Sequence, residues 1–140
     1  MHEGKMTECV FCKIAAGKIP CHKVYEDDHH IVFMDMGQVN PGHVIVSLKP
    51  HFETILDLDE EQTGSLFKIV NRVAKAVQQE FNPEGMTLLQ ANRKAGFQTV
   101  PHFHVHVLPR HMEDGVNLTW PVKNPPAEEL AKLADRIKIN

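Results

Sequence analysis

Two short segments open the pattern of apolar and polar positions. Lys23-Val24-Tyr25-Glu26-Asp27 and Ile31-Val32-Phe33-Met34-Asp35 flank the polar Asp28-His29-His30, which predicts two strands joined as a hairpin. Met36 to Gly42 holds Gly37, Asn40, Pro41 and Gly42 and predicts a loop, after which His43-Val44-Ile45-Val46-Ser47-Leu48 reads as a third strand stopped at Lys49-Pro50. The period then lengthens. Leu66, Ile69, Val70, Val73 and Val77 recur at helical spacing behind Asp57-Leu58-Asp59-Glu60, read as a capping box, and predict a helix from Glu60 to Phe81 closed by Asn82-Pro83-Glu84-Gly85.

Met86-Thr87-Leu88-Leu89-Gln90 predicts a fourth strand, Asn92 to Gln98 a loop, and Val100 to Leu108 a fifth strand closed by Pro109. Pro125-Pro126, then acidic Glu128 and Glu129 with Leu130, Leu133, Ala134 and Ile137, predict a short amphipathic helix at the C-terminus. Strands in runs rather than alternating with helices give an α+β class: an antiparallel five-stranded sheet with one long helix and a C-terminal helix. Residues 1–7 are read as a flexible arm and 8–140 as a single domain.

Composition narrows the function. The 140 residues are 42% hydrophobic, enough for one core, and no apolar run approaches the ~20 residues that cross a bilayer. The start lacks the apolar stretch of a signal peptide, so the expectation is a cytoplasmic protein without membrane partners. A formal charge of −3 argues against non-specific nucleic-acid binding, which requires a basic face. Three cysteines are an odd number for a disulfide framework, and Cys9-Val10-Phe11-Cys12 favours metal binding or reduced thiols. Cys21 reads as a small packing residue.

Ten histidines stand out, and they cluster. In a strand, His102, His104 and His106 of His102-Phe103-His104-Val105-His106 share one face, roughly 6.5–7 Å apart, while Phe103, Val105 and Val107 face the core. Such a row suits either a three-histidine metal site or covalent catalysis at phosphorus, and alternation alone leaves both open.

The stretch Gln98-Thr99-Val100-Pro101-His102-Phe103-His104-Val105-His106-Val107-Leu108-Pro109-Arg110 resembles the signature of the histidine-triad family. Phe33-Met34-Asp35 and Asn40-Pro41-Gly42-His43-Val44-Ile45-Val46 resemble that family's nucleotide-binding strands. The likeness covers roughly residues 9 to 121. It is closest to bacterial-type members that begin with Cys-x-x-Cys, with features of the fragile-histidine-triad dinucleoside polyphosphate hydrolases. It implies that His104 attacks the α-phosphorus of a nucleotide to form a nucleotidyl-histidine that water hydrolyses, flanked by His106 and His43. It further implies Asp35 on the ribose hydroxyls, Ile31 and Phe33 near the base, and Asn92, Gln98, Thr99 and His106 at the phosphates. From relatives with the same start it implies a structural zinc held by Cys9, Cys12, His51 and His102, and a homodimer. Phe67 and Val70 of the long helix are offered as a partner-facing side, and Trp120 resembles a C-terminal region near the active site, often the partner subunit's.

The loop Asn92-Arg93-Lys94-Ala95-Gly96-Phe97-Gln98 departs from the family pattern by interposing Phe97. Arg93 and Lys94 read either as attraction for a polyphosphate or as solvated charges. Pro109-Arg110 after the triad resembles the dinucleotide hydrolases, a resemblance that implies dinucleoside polyphosphates ahead of nucleoside phosphoramidates as substrates. A nucleotide-binding interaction protein with little turnover and a zinc-dependent hydrolase using the triad as ligands are the competing classes.

Overall fold

Strand pairing follows the period-two segments closely. A computed structural model describes residues 8–140; the arm expected over residues 1–7 lies outside them. The strands are β1 (Lys23–Glu26), β2 (His30–Met34), β3 (Val44–Leu48), β4 (Gly85–Leu89) and β5 (His104–Arg110), in an antiparallel sheet of order β1-β2-β3-β5-β4. Helix α1 spans Val10–Ala15, α2 Glu60–Phe81 and α3 Ala127–Ile137.

Alternation sorts the sheet into two faces. Val32, Val44, Val46, Leu48, Phe103, Val105 and Val107 join Leu66, Ile69, Val70, Val73 and Val77 of α2 in one core. Those five helix positions are the ones the sequence periodicity singled out. The opposite face carries Ile31, Phe33 and Ile45, packed with Cys9 and Phe11 of the α1 region. Ile45 pairs across the sheet with His106, and Ser47 with His104, so the histidines belong to this second face.

Several expectations are corrected. Strand β5 begins at His104, not Val100, so His102 precedes the strand and is freed from its alternation. Pro109 lies within β5 rather than ending it. The ladder with β3 stops at Val107, and Asn40 Nδ2 donates to the Pro109 carbonyl at 2.9 Å, so the missing N–H falls beyond β3. The long helix is capped by Asp59, not Asp57: Asp59 Oδ1 accepts from Gln62 N at 2.8 Å, and Gln62 Oε1 accepts from Asp59 N at 3.0 Å. Asp57 instead closes a box with Thr54 around a short 3-10 turn, Ile55–Asp57. Val70 is buried in the core and cannot face a partner, whereas Phe67 is partly exposed. Helix α3 forms as expected, but none of its residues is buried.

Candidate active site and metal centre

The position of His104 follows from the pleat. Its ring lies on the face away from α2, its residue is buried, and its Nδ1 is 2.6 Å from the carbonyl oxygen of His102. A carbonyl only accepts, so Nδ1 carries the proton and Nε2 keeps its lone pair. Burial pushes the His104 pKa below its ordinary value, against the opposing pull of that carbonyl. Phe11 stands edge-on to the imidazole with centroids 4.9 Å apart and edge-on to Phe33 at 5.3 Å.

His106 lies beside it, ring centroids 4.9 Å apart. Its Nδ1 is 2.9 Å from His43 Nε2. The backbone N–H of Val39 donates to His43 Nδ1 at 3.2 Å, which makes that nitrogen an acceptor and puts the His43 proton on Nε2. His43 therefore donates toward His106 Nδ1, and His106 carries its own proton on Nε2. Asp35 Oδ2 lies 3.3 Å from His43 Nε2 and 3.7 Å from His106 Nδ1, while Asp35 Oδ1 accepts from Gly37 N at 2.8 Å. Burial lowers the pKa of both His43 and His106, with Asp35 partly opposing. Asp35, His43 and His106 are near enough to hold a cation. The Val39 N–H donating to His43 Nδ1 keeps the imidazole proton on Nε2, the nitrogen a cation would need, so the set reads as a proton-ordered chain.

His102 turns the other way. Its Nε2 lies 2.7 Å from the Leu48 carbonyl, which fixes the proton there and aims the Nδ1 lone pair at a cluster with Cys9, Cys12 and His51. His102 Nδ1 lies 3.3 Å from Cys9 Sγ, 3.4 Å from Cys12 Sγ and 3.2 Å from His51 Nδ1, and Cys12 Sγ lies 3.2 Å from His51 Nδ1. A tetrahedron with zinc-like bond lengths has ligand-to-ligand edges of about 3.3–3.8 Å, close to these values. Burial holds His102 down to about 4, hence neutral and able to ligate. Burial and the neighbouring Cys9 push the Cys12 thiol up to about 12. Four converging soft donors with a fixed imidazole tautomer fit a metal ion. Cys9 supplies this geometry by capping α1, where its sulfur accepts from Cys12 N at 3.4 Å.

The sequence profile of the HIT domain matches residues 16–113. The chain belongs to the HIT domain family. A HIT family protein from Bacillus anthracis has a crystal structure similar to this one, with 41% identity and TM-score 0.88, covering 92% of this chain and 94% of that one. The adenosine 5'-monophosphoramidase hnt1 of Schizosaccharomyces pombe is 33% identical over 130 residues, 92% of this chain and 95% of that protein. A Zn-bound histidine triad family protein from Mycobacterium smegmatis is 29% identical, with TM-score 0.74, covering 94% of this chain and 99% of that one.

Within this HIT domain an apolar cleft of about 230 Å³ adjoins Asp35 and is lined by Phe11, Ile14, Ile19, Phe33 and Ile45 among others. Ile31 lies behind it in the second core cluster. The amides of Asn92 and Gln98 are engaged, in part by tying their loop to the segment before α2: Asn92 Oδ1 accepts from Ile55 N at 2.8 Å, Gln98 Nε2 donates to the Glu53 carbonyl at 2.6 Å, and Gln98 Oε1 accepts from Arg93 N at 2.7 Å. Thr99 is exposed, and Phe97 projects its ring into solvent from a left-handed backbone, φ 71°. Arg110 is bound to Asp114 at 2.7 and 3.1 Å and to Thr87, so it gives no support to a polyphosphate preference. Trp120 is exposed.

Sequence reasoning missed three contributors. Phe11 was legible only as one of the two residues between the cysteines. Gln38 accepts from the N–H groups of Gly42 and His43 at 3.0 and 3.1 Å and donates to the His43 carbonyl at 2.7 Å, shaping the loop that presents His43. Val39 contributes only its backbone N–H, which carries no sequence signal.

Proposed function

We propose that this protein is a nucleotide hydrolase or nucleotidyl transferase in which His104 Nε2 attacks the α-phosphorus of a nucleoside phosphoramidate, with dinucleoside polyphosphates as a second substrate class. The observation that carries the reading is the 2.6 Å contact of His104 Nδ1 with the His102 carbonyl. It leaves a neutral, oriented nucleophile beside a cleft that ends at Asp35. The phosphoramidate preference rests on the activity named for the fission-yeast relative.

The base enters the apolar cleft against Phe33, Ile31 supporting that wall from behind, and Asp35 accepts from the ribose hydroxyls. As the P–N bond breaks, charge grows on the phosphoryl oxygens, and the Nε2–H of His106 donates to them. His43 secures that proton by donating to His106 Nδ1. The leaving amine departs with a proton taken from solvent, and in a second step water displaces His104 and releases a proton to solvent, regenerating the imidazole. Thr99 is free to meet the phosphate, while Asn92 and Gln98 support the loop or exchange their present partners when substrate binds. Zinc, which Cys9, Cys12, His51 and His102 would hold, would supply a structural tie rather than a Lewis acid. Two chains form a homodimer, and Trp120 lies near a partner's site.

Adenosine 5'-phosphoramidate and diadenosine tetraphosphate, assayed with His104→Ala in parallel, test the reading. Acid quench during turnover should reveal a nucleotidyl group on His104 that is absent from the variant. Equal turnover by His104→Ala, or a label on another residue, overturns it.

A further inference from the structure

On the sheet face opposite His104, three polar side chains outside the nucleotide site stand in register. His30 is buried on β2, with Nδ1 2.9 Å from Asp27 Oδ1 and Nε2 3.1 Å from Ser65 Oγ on α2. Asp27, at the hairpin turn, also accepts from His29 N at 2.9 Å, His30 N at 2.7 Å and the Tyr25 hydroxyl at 2.9 Å. A carboxylate with those four donors stays ionised and can only accept. It therefore holds the His30 proton on Nδ1 and turns the Nε2 lone pair toward the serine. The Ser65 hydroxyl has a second acceptor in the Gln62 carbonyl at 3.1 Å, so its proton is shared rather than locked.

The serine opens on a cleft of about 340 Å³. Leu48, Pro50 and Phe52 give it an apolar wall, and Asp59 and Glu61 give it negative charge. Gln62 lies three residues before Ser65, on the same helix face, and lines the same cleft. Its Oε1 is taken by Asp59 N, which fixes the amide and leaves Nε2 a donor.

We propose that Ser65 is a second, independent nucleophile that takes acyl groups from small carboxylic esters bearing a cationic group. His30 is its base, Asp27 a positioning residue, and Gln62 Nε2 the donor to the developing oxyanion. Ser65 Oγ bonds to the carbonyl carbon as its proton passes to His30 Nε2. The ester C–O bond breaks, and the leaving alcohol departs with that proton. Water then attacks the acyl-serine by the same relay, releasing the carboxylic acid and restoring the hydroxyl. A neutral apolar wall beside two carboxylates favours a cation and repels an anionic ester.

The test uses the full chain carrying His104→Ala, which removes the imidazole nucleophile of the other face, and three aryl acetates: cationic acetoxyphenyl-trimethylammonium, neutral p-nitrophenyl acetate and anionic acetoxybenzoate. A fluorophosphonate reagent followed by peptide mass spectrometry locates the modified residue. Expected are a one-equivalent burst, a label on Ser65, and rates falling from cationic to anionic ester. Ser65→Ala should lower acylation by about 10²-fold or more while keeping the circular dichroism of the parent. In a chain with His104 intact, the same substitution should leave phosphoramidate turnover unchanged. Asp27→Asn should lower kcat for the cationic ester with KM held, which loss of a merely structural hydrogen bond would not do. A folded protein unlabelled at Ser65, or Ser65→Ala acylated as fast as its parent, shows a structural bridge only and overturns the proposal. Neither result bears on His104.

Discussion

Proton placement at single nitrogens decides what each histidine does. The Val39 N–H, His43 and His106 form a chain in which each proton fixes the next, ending on His106 Nε2. Removing the terminal donor with His106→Ala should lower kcat on the order of 10²–10³-fold, the usual cost of an oxyanion donor, with a smaller change in KM. A KM effect with kcat intact would place His106 in ground-state binding instead. Asp114 makes a different residue-scale prediction. The Arg110 guanidinium beside it, with the N–H groups of Val116 and His111 and the Asn40 amide, holds its carboxyl well below the usual carboxylate range. A carboxyl depressed in the folded state stabilises the fold above its unfolded value of about 3.9 and loses that contribution as pH falls through and below it. Melting curves of the parent should therefore drop more steeply between about pH 5 and 3 than those of Asp114→Asn. Parallel curves would remove Asp114 from the acid response. At this scale the sequence singles out residues whose type announces a chemistry, and the structure gathers them, His43 against His106 and Cys12 with Cys9, His51 and His102. The sequence was illegible where a backbone group acts, as at Val39, or where an ordinary core residue such as Phe11 is recruited by position.

At the scale of elements, periodicity recovered the long helix and its buried stripe because burial in α2 repeats every 3.6 residues. It placed the bounds at Glu60 and Phe81 and misassigned only the N-cap, since competing caps two residues apart differ only in three-dimensional context. Asp57 and Asp59 both carry a suitable carboxylate, and the Thr54 turn takes the first. Asp59→Ala should cost about 1 kcal/mol in urea denaturation, as loss of an N-cap does, and clearly more than a neutral surface change. The start of β5 was misread for a more informative reason. His102 is pulled out of the strand by the cysteine cluster and the Leu48 carbonyl, so a perfect alternation in sequence is shared between two sites. Gly42, which leads into β3, shows how tightly the His43 loop is set. Its φ is +102°, and an added Cβ would meet the Phe81 ring at 2.7 Å. Gly42→Ala should destabilise the fold by on the order of 1–3 kcal/mol and lower turnover through His43. Recovery by Phe81→Ala should be partial, because the ring contact is relieved and the backbone strain is not.

Over the whole molecule, the two ends of the sheet are unlike. β1 is short, irregular between Lys23 and Tyr25, and carries Lys23 and Glu26, features that discourage further pairing. β4 at the other end reads Gly-Met-Thr-Leu-Leu with no charge or proline, and both Leu88 and Leu89 are partly exposed. The exposed Leu130, Leu133 and Ile137 of α3 and Trp120 add apolar surface that this chain alone leaves uncovered. An uncharged open edge is a template for pairing with its own copy across a two-fold axis, and such pairing would join two sheets and give the proposed homodimer. Sedimentation should then report twice the 15.9 kDa chain mass, and Leu88→Lys, which sets like charges near each other across the axis, should shift it toward the monomer without loss of secondary structure. A monomeric parent would end that reading. A metal held by Cys9, Cys12, His51 and His102 would act on the same scale by tying α1 to the segment before β5. Cys12→Ser should abolish zinc retention and lower the melting temperature by on the order of 10 °C or more, and turnover should fall as Phe11 loses its seat against His104. If zinc were the Lewis acid, brief chelation would stop turnover before any unfolding. If it is a tie, activity and folded structure decline together, and a metal-free protein of unchanged stability would refute both.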